Sequence, residues 1–416
     1  MCKPWEGDLT VKGKDASILR SLAGQVAEIA ARPLEEEKRK LWFAHNALEK
    51  VRPLVFCDPE NGWNEIFPKE SLLCEDPLMR QWEMRLRKEI FWGTQMNDDR
   101  DIEPYFYIGY VYKRSNWGME EVREGGGNGG SYRWKAPLTD FKDMDKLRFP
   151  TLSINFAETE RQAALASELF GDLLKVEIRG SWFWSLGVVR PLVYIRGLEQ
   201  ILYDIYDYPD ELKQLMAFIR DGLMAELDYL EENGLLSLNN RGHYVGSGGF
   251  GYTNQLPGPD FDGKVRTMDM WGFAESQETV GISPDAFEEF VFTYELPLLS
   301  RFGLNCYGCC EPLNLRWDIV KKTPNLRRVS VSPWADRVAM ADKLKDKYIY
   351  SYKPVPTDLA MPSLDHEHVR KGLRQALSDT KGCCLEIIMK DNHTIGNNPQ
   401  NVIDWCRIAR EEIENM

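Results

Sequence analysis

Residues 302–355 read FGLNCYGCCEPLNLRWDIVKKTPNLRRVSVSPWADRVAMADKLKDKYIYSYKPV, and this stretch decides the fold. It holds three short apolar runs, 304–308, 328–332 and 348–355, each of strand length. Between them lie two segments with helical spacing, 315–322 and 335–345. Strands separated by helices pair in parallel, because parallel neighbours need a crossover connection. The same alternation continues outward. A helix at 366–378 precedes a strand at 383–389, and Asn398-Pro399 opens a last helix with Val402, Trp405, Cys406 and Ala409 on its inner face.

Upstream, 157–170 is helical and 174–184 strand-like, and Pro191 opens another helix. Pro209 heads a long helix whose Leu212, Leu215, Met216, Ile219, Leu223, Leu227 and Leu230 form one apolar stripe, ended by Gly234. A short strand is expected at 235–238. Ser283-Pro284-Asp285 caps a helix that buries Phe287, Phe290, Val291 and Tyr294. Right-handed crossovers in this number close most economically into a (β/α)8 TIM barrel, α/β in class. The competing doubly wound sheet lacks a Gly-x-Gly-x-x-Gly after an early strand. Before the first strand-like segment, 105–112, the patterns at 18–31, 34–51 and 78–90 are all helical. The expectation is a helical N-terminal extension over 1–100 and a barrel over 101–416. The glycine-rich run 125–130 lacks the Lys-Ser/Thr of a phosphate loop and is read as a flexible surface hairpin.

Formal net charge is −13, which argues against nucleic acid or an anionic membrane as the main partner. Nine cysteines in 416 residues are too few for a disulfide scaffold. The first fifteen residues carry no apolar leader, and no run of about 18 apolar residues is present to span a bilayer. A cytoplasmic location is expected, where clustered cysteines lean toward metal binding or catalysis.

Three of those cysteines, Cys306, Cys309 and Cys310, fall together, and Glu311 follows directly. Pro312 stops the strand, since proline cannot donate to a ladder. The thiols and carboxylate therefore sit at a strand's C-terminal end, the end that faces the active site in α/β folds. Thiolate with carboxylate suits zinc. The competing reading is that small cysteines fill core space. Other strand ends bring Asn239, Asn240 and His243; Ser332 and Trp334; Lys353; and Lys390, Asp391 and His393 toward the same mouth. Expected metal ligands are Cys309, Glu311, His393 and Cys310. Expected catalytic residues are Glu311, His243, Asn240 and Tyr307, with Tyr307, Cys309 and Glu311 on one face of an extended chain. Cys383 and Cys384 are read as core; Cys2, Cys57 and Cys74 lie outside the barrel. The aromatic-dotted loop 241–254 has the profile of a mobile substrate lid.

From about residue 185 onward the chain resembles the uroporphyrinogen decarboxylase superfamily, in its corrinoid-linked methyltransferase branch. The resemblance rests on Arg190-Pro191-Leu192 through Gly197, Ile201-Leu202-Tyr203-Asp204, Tyr208-Pro209-Asp210-Glu211-Leu212, Gly281-Ile282-Ser283-Pro284 with Phe287-Glu288-Glu289-Phe290, and Asn398-Pro399-Gln400-Asn401-Val402. Tyr307-Gly308-Cys309 stands where methylcobalamin:coenzyme M methyltransferases carry a His-x-Cys zinc pair, so tyrosine replaces the histidine. Glu311 or Cys310 could replace that ligand, and Asp391 or His393 lies nearest where the family has its second cysteine. No arginine-rich porphyrinogen signature is found, and the acidic chain is a poor receptor for an octa-acid. The resemblance implies a zinc-dependent methyltransferase. It would move a methyl group between a small methylated or methoxylated molecule, with a leaning toward aromatic ones, and a corrinoid. The corrinoid would ride on a separate protein. The alternatives are a metal-independent decarboxylase and a non-catalytic barrel that binds a small molecule or a corrinoid protein; a homodimer is compatible with each.

Overall fold

The structure is a computed structural model that describes residues 13–120, 122–125 and 132–416. Its centre is a six-stranded, all-parallel sheet made of β1 (Leu54–Cys57), β8 (Trp271–Ala274), β9 (Leu304–Tyr307), β10 (Leu326–Val331), β11 (Ile349–Tyr352) and β12 (Cys384–Met389). Their order is β1-β12-β11-β10-β9-β8. A second parallel pair joins β2 (Tyr105–Gly109) to β7 (Lys175–Arg179). Two antiparallel pairs, β3 (Tyr112–Arg114) with β6 (Leu152–Ile154) and β4 (Val122–Gly125) with β5 (Tyr132–Lys135), lie apart from the main sheet. The expected hairpin is framed by β4 and β5, while 126–130 lie outside the described residues, as does Cys2.

Helices pack around these strands. α1 (Lys14–Ala30), α2 (Pro33–Asn46), α3 (Trp63–Ile66) and α4 (Pro77–Thr94) precede β2. α5 (Phe156–Phe170) precedes β7, and α6 (Val189–Arg196), α7 (Leu198–Asp207) and α8 (Pro209–Glu232) follow it. α9 (Pro284–Phe287) and α10 (Thr293–Leu299) lead to β9. α11 (Trp317–Val320), α12 (Arg337–Leu344) and α13 (His366–Asp379) are the crossovers to β10, β11 and β12, and α14 (Pro399–Glu414) closes the chain. The predicted caps hold: the Ser283 hydroxyl accepts from Ala286 N, and the Asn398 side chain accepts from Gln400 N. No helix among the described residues is long and apolar enough to cross a membrane.

Two sequence expectations need correction. The first hundred residues are not purely helical, because β1 lies inside them and pairs with β12 over four residues. A four-residue apolar run between strong helical patterns carries too little periodicity to be read; its burial decides it. The strand expected at 235–238 makes no ladder. Instead Gly180 N donates to Ser237 Oγ at 2.9 Å. The Asn239 side chain accepts from Trp271 N at 2.9 Å and donates to Trp271 O at 3.0 Å. Side chains thus bridge from β7 to β8 where a backbone ladder was expected.

The larger correction concerns 241–254. Residues 245–253 are all buried, so this loop is a plug rather than a lid. Trp271 Nε1 donates to Gly251 O, and Asn46 on α2 donates to the carbonyls of Phe250 and Tyr252. Two glycines make the insertion sterically possible. Gly246 has φ +70°, and a Cβ there would lie 2.8 Å from that of Cys306. Gly249 has φ +89°, and a Cβ there would lie 2.8 Å from Glu386 Oε1.

What the plug rests on is Arg328 of β10, almost wholly buried. Its Nε donates to Glu386 Oε1 at 2.9 Å, and its Nη2 reaches Glu386 Oε2, Asn46 Oδ1 and Phe250 O. The guanidinium also lies 5.3 Å from the Trp271 ring centre. One side chain therefore ties β10, β12, β8, α2 and the loop together. Truncating one member of a buried, hydrogen-bonded ion pair typically costs about 3–5 kcal/mol. Arg328→Met is expected to lose that much in urea unfolding. Arg328→Met combined with Glu386→Gln should lose less than the two single changes added together. Additivity would show that the pair is not coupled.

Candidate functional site

The C-terminal ends of the main-sheet strands converge, as parallel α/β topology dictates. After β9, Gly308 turns the chain with φ +91° and Cys309 follows, 3% exposed. Glu311 is fully buried and organises this turn. Its Oε2 accepts from Cys309 N at 2.8 Å, and its Oε1 accepts from Ser276 N at 2.9 Å. Cys309 O in turn accepts from Ser330 Oγ on β10. The sequence Cys-Cys-Glu-Pro is thus a short turn stapled by its own carboxylate.

Cys309 Sγ accepts from Ser247 Oγ of the plug at 3.2 Å and lies 3.7 Å from Cys310 Sγ. Lys390, just past β12, donates to the same Ser247 hydroxyl at 3.4 Å. Cys310 is exposed, and its Sγ lies 3.7 Å from Asp391 Oδ2. The hydrogen bond from Cys310, together with the Lys390 ammonium and the Ser247 hydroxyl, outweighs burial and lowers the Cys309 pKa. The same coupling, with burial, raises that of Cys310. Cys309 is the sulfur that ionises first.

Acidic groups surround the thiols. Glu275, directly after β8, is fully buried; burial, with Glu278 and Glu311 nearby, pushes it up to about 9. Glu295 on α10 accepts from Tyr307 Oη at 2.6 Å and is pushed up to about 8, chiefly by burial. Glu60, beyond β1, rises to about 7 through burial, with Asp391 and Asp58 adding and Lys390 opposing. Burial brings Lys353 down to about 8. Near neutral pH this region therefore holds carboxylic acids that can donate protons.

The structure brings together Cys309, Cys310, Glu311, Lys390 and Asp391 of the sequence-predicted set. It places Tyr307 behind them, against Glu295 and α10. Asn240 donates to Leu256 O, and the His243 ring packs 6.0 Å from that of Tyr107 on β2. His393 is exposed, and its carbonyl accepts from Asn61. Among the described residues, no hydrogen bond or ion pair joins Asn240, His243 or His393 to Cys309 or Cys310. Nor do three His, Cys, Asp or Glu side chains stand as a ready metal set among them. Sequence reading missed Ser247, hidden in a presumed lid. It missed Glu60 and Glu275 because β1 and β8 went unread; Trp271 beside Gly272 was the one visible signal for β8.

A cavity of about 570 Å³ adjoins this rim, walled by residues that include Trp117, Trp182, Phe183, Trp184, Tyr194 and Leu227, with Arg114, Arg123, Arg190, Glu120 and Glu226 as its charged members. Trp182 is fixed by its Nε1 donating to Leu235 O at 2.9 Å. Trp184 joins the two regions: its ring packs 5.1 Å from Phe273 of β8, and Lys390 Nζ lies 5.7 Å from its centre.

No family model matches the chain, and no curated protein matches it. Among solved structures the chain is similar to one described as a methyltransferase from Methanosarcina mazei, with a TM-score of 0.52 and 12% identity. The match covers 90% of this chain and 98% of that one. At that identity the likeness establishes a shared fold.

Removing the cation beside Cys309 should raise its pKa. In Lys390→Met the thiolate absorbance near 240 nm, taken as the difference from Cys309→Ala, is expected to appear at higher pH than in the wild type. An unmoved titration would show that Lys390 does not act on the sulfur.

Proposed function

We propose that this protein is a methyltransferase built on a (β/α)8-type barrel. It would exchange a methyl group between a small methylated or methoxylated molecule and a corrinoid carried by a separate protein, with zinc at the thiol pair. The observation that carries this reading is the position of Cys309 Sγ. It sits at the strand-end rim between Ser247, Cys310 and the lysine that borders an aromatic cavity. The fold shared with a protein described as a methyltransferase supports it, as do the family-like segments from residue 185 onward.

The donor chemistry fits zinc in part. Two thiolates on one tetrahedral zinc, each about 2.3 Å from it, are about 3.8 Å apart. The Cys309 and Cys310 sulfurs are 3.7 Å apart. Asp391 is the third donor at hand. Glu311 accepts from backbone amides at both oxygens and serves the turn, and His393 is exposed. These three side chains do not stand as a ready set, so Cys309, Cys310 and Asp391 would have to draw together to hold the metal, leaving a position open. When bound, zinc supplies Lewis acidity that activates a thiol or polarises an ether oxygen.

The remaining roles fall to side chains already in place. Trp182 and Trp184 offer flat apolar walls to a substrate ring, and Arg190 at the cavity edge offers a positive charge to an acidic substituent. Lys390 and Ser247 hold negative charge on Cys309. Glu275, uncharged at neutral pH, can give a proton to a leaving oxygen.

An open three-ligand site has no spare protein donor, so losing one ligand cuts affinity severely. Cys309→Ala is expected to purify with little zinc and to show no methyl transfer to a corrinoid protein. Cys383→Ala, changed away from the rim, should keep both. Full zinc content and full turnover in Cys309→Ala would overturn the assignment; carbon dioxide release without methyl transfer would favour the decarboxylase.

A further inference from the structure

A second sulfur site lies at the opposite end of the sheet. Cys384 begins β12, while Lys390 follows its last residue, so the two are separated by about 20 Å at a strand's usual rise. The Cys384 Sγ lies 3.4 Å from His45 Nδ1 on α2. The other ring nitrogen, Nε2, lies 3.1 Å from Glu386 Oε2. His45 is 1% exposed and Glu386 is fully buried, whereas Cys384 is only half-buried. Thiol, imidazole and carboxylate thus form a line running from the protein's edge into its core, built from α2 and two positions of one strand.

Charged groups stand around that sulfur. Burial works against charge on His45, but Cys384 and Glu386 outweigh it and push the imidazole up to about 9. Glu386 is itself drawn down to about 2: burial opposes this, and Arg328, His45 and Lys353 prevail. Arg327, on the neighbouring strand, also faces Cys384. The adjacent Cys383 points elsewhere, toward Ala341 O, and burial raises it to about 11. A core-filling cysteine would not need a charged imidazole at one of its faces.

We propose that Cys384 is a peroxide-reactive modification site, with His45 stabilising the attacking sulfur and Glu386 orienting His45. A sulfur electron pair attacks one oxygen of hydrogen peroxide, forming the S–O bond as the O–O bond breaks. The departing hydroxide takes the His45 proton and leaves as water. The neutral ring then takes a proton from solvent, which balances the proton the thiol released to solvent on ionising. Sulfur is oxidised by two electrons to the sulfenic acid, and peroxide is reduced to water. Oxidation here would place a new polar group against His45 of α2 and so bear on the joint between α2 and the sheet.

The test compares two neighbouring thiols in the full-length protein. Dilute hydrogen peroxide is added, sulfenic acid is trapped with dimedone, and labelling at each cysteine is followed by tandem mass spectrometry. Cys384 is expected to label at least about tenfold faster than Cys383 in the folded protein, and at about the same rate in urea, because reactivity follows local environment. His45→Gln should remove most of the folded-state advantage. A folded ratio no greater than that in urea would overturn the proposal, and that comparison needs only the wild-type chain. Should His45→Gln fold and keep the full advantage, His45 has no part in the chemistry and the proposal fails.

Discussion

The rest of the structure depends on a buried guanidinium. Arg328 could not sit inside a sheet alone, since removing its charge from water costs several kcal/mol that only close partners repay. Glu386 supplies the countercharge. Asn46 and Phe250 O take further hydrogens, and the Trp271 face covers it. Satisfying this one group fixes the relation of α2 to the sheet and draws the loop at 245–253 into the interior. That loop in turn brings Ser247 to Cys309, so the geometry of the rim is set by a charge in the core.

The two ends of the sheet carry related but distinct sulfur chemistry. At the C-terminal rim, Cys309 is steadied by a second thiol, a hydroxyl and a lysine, beside an aromatic cavity large enough for a small molecule. At the other end, Cys384 faces an imidazole backed by a carboxylate. Glu386 serves Arg328 on one side and His45 on the other. Buried polar networks of this kind hold only when nearly every member is satisfied.

Much of the architecture was legible in the residues. Helices with strong caps and long apolar stripes, such as α8 and α14, could be read because many positions repeat one signal. The strands at 304–307, 326–331, 349–352 and 384–389 could be read because helices separate them at regular spacing. β1 could not, because four apolar residues among helices have no distinct period. β8 could not, because Trp-Gly-Phe-Ala is only four residues long and does not alternate in polarity. The glycines of 246–249 were visible, but glycine permits both a mobile loop and a tight insertion. Only the contacts with Cys306, Ile388 and Glu386 distinguish the two.

The sequence by itself determined the alternation of strands and helices, the parallel sheet, and the placing of Cys309, Cys310 and Glu311 at a strand end before proline. These are properties of neighbours along the chain, and local spacing encodes them. Tertiary structure alone decided that Glu311 anchors a turn, that Ser247 and Lys390 attend Cys309, that His243 and Asn240 face other partners, and that Cys384 meets His45 across 339 residues. Such pairings come from the crossing of distant segments, where burial forces each polar group to find a partner, and no local pattern specifies which partner that is.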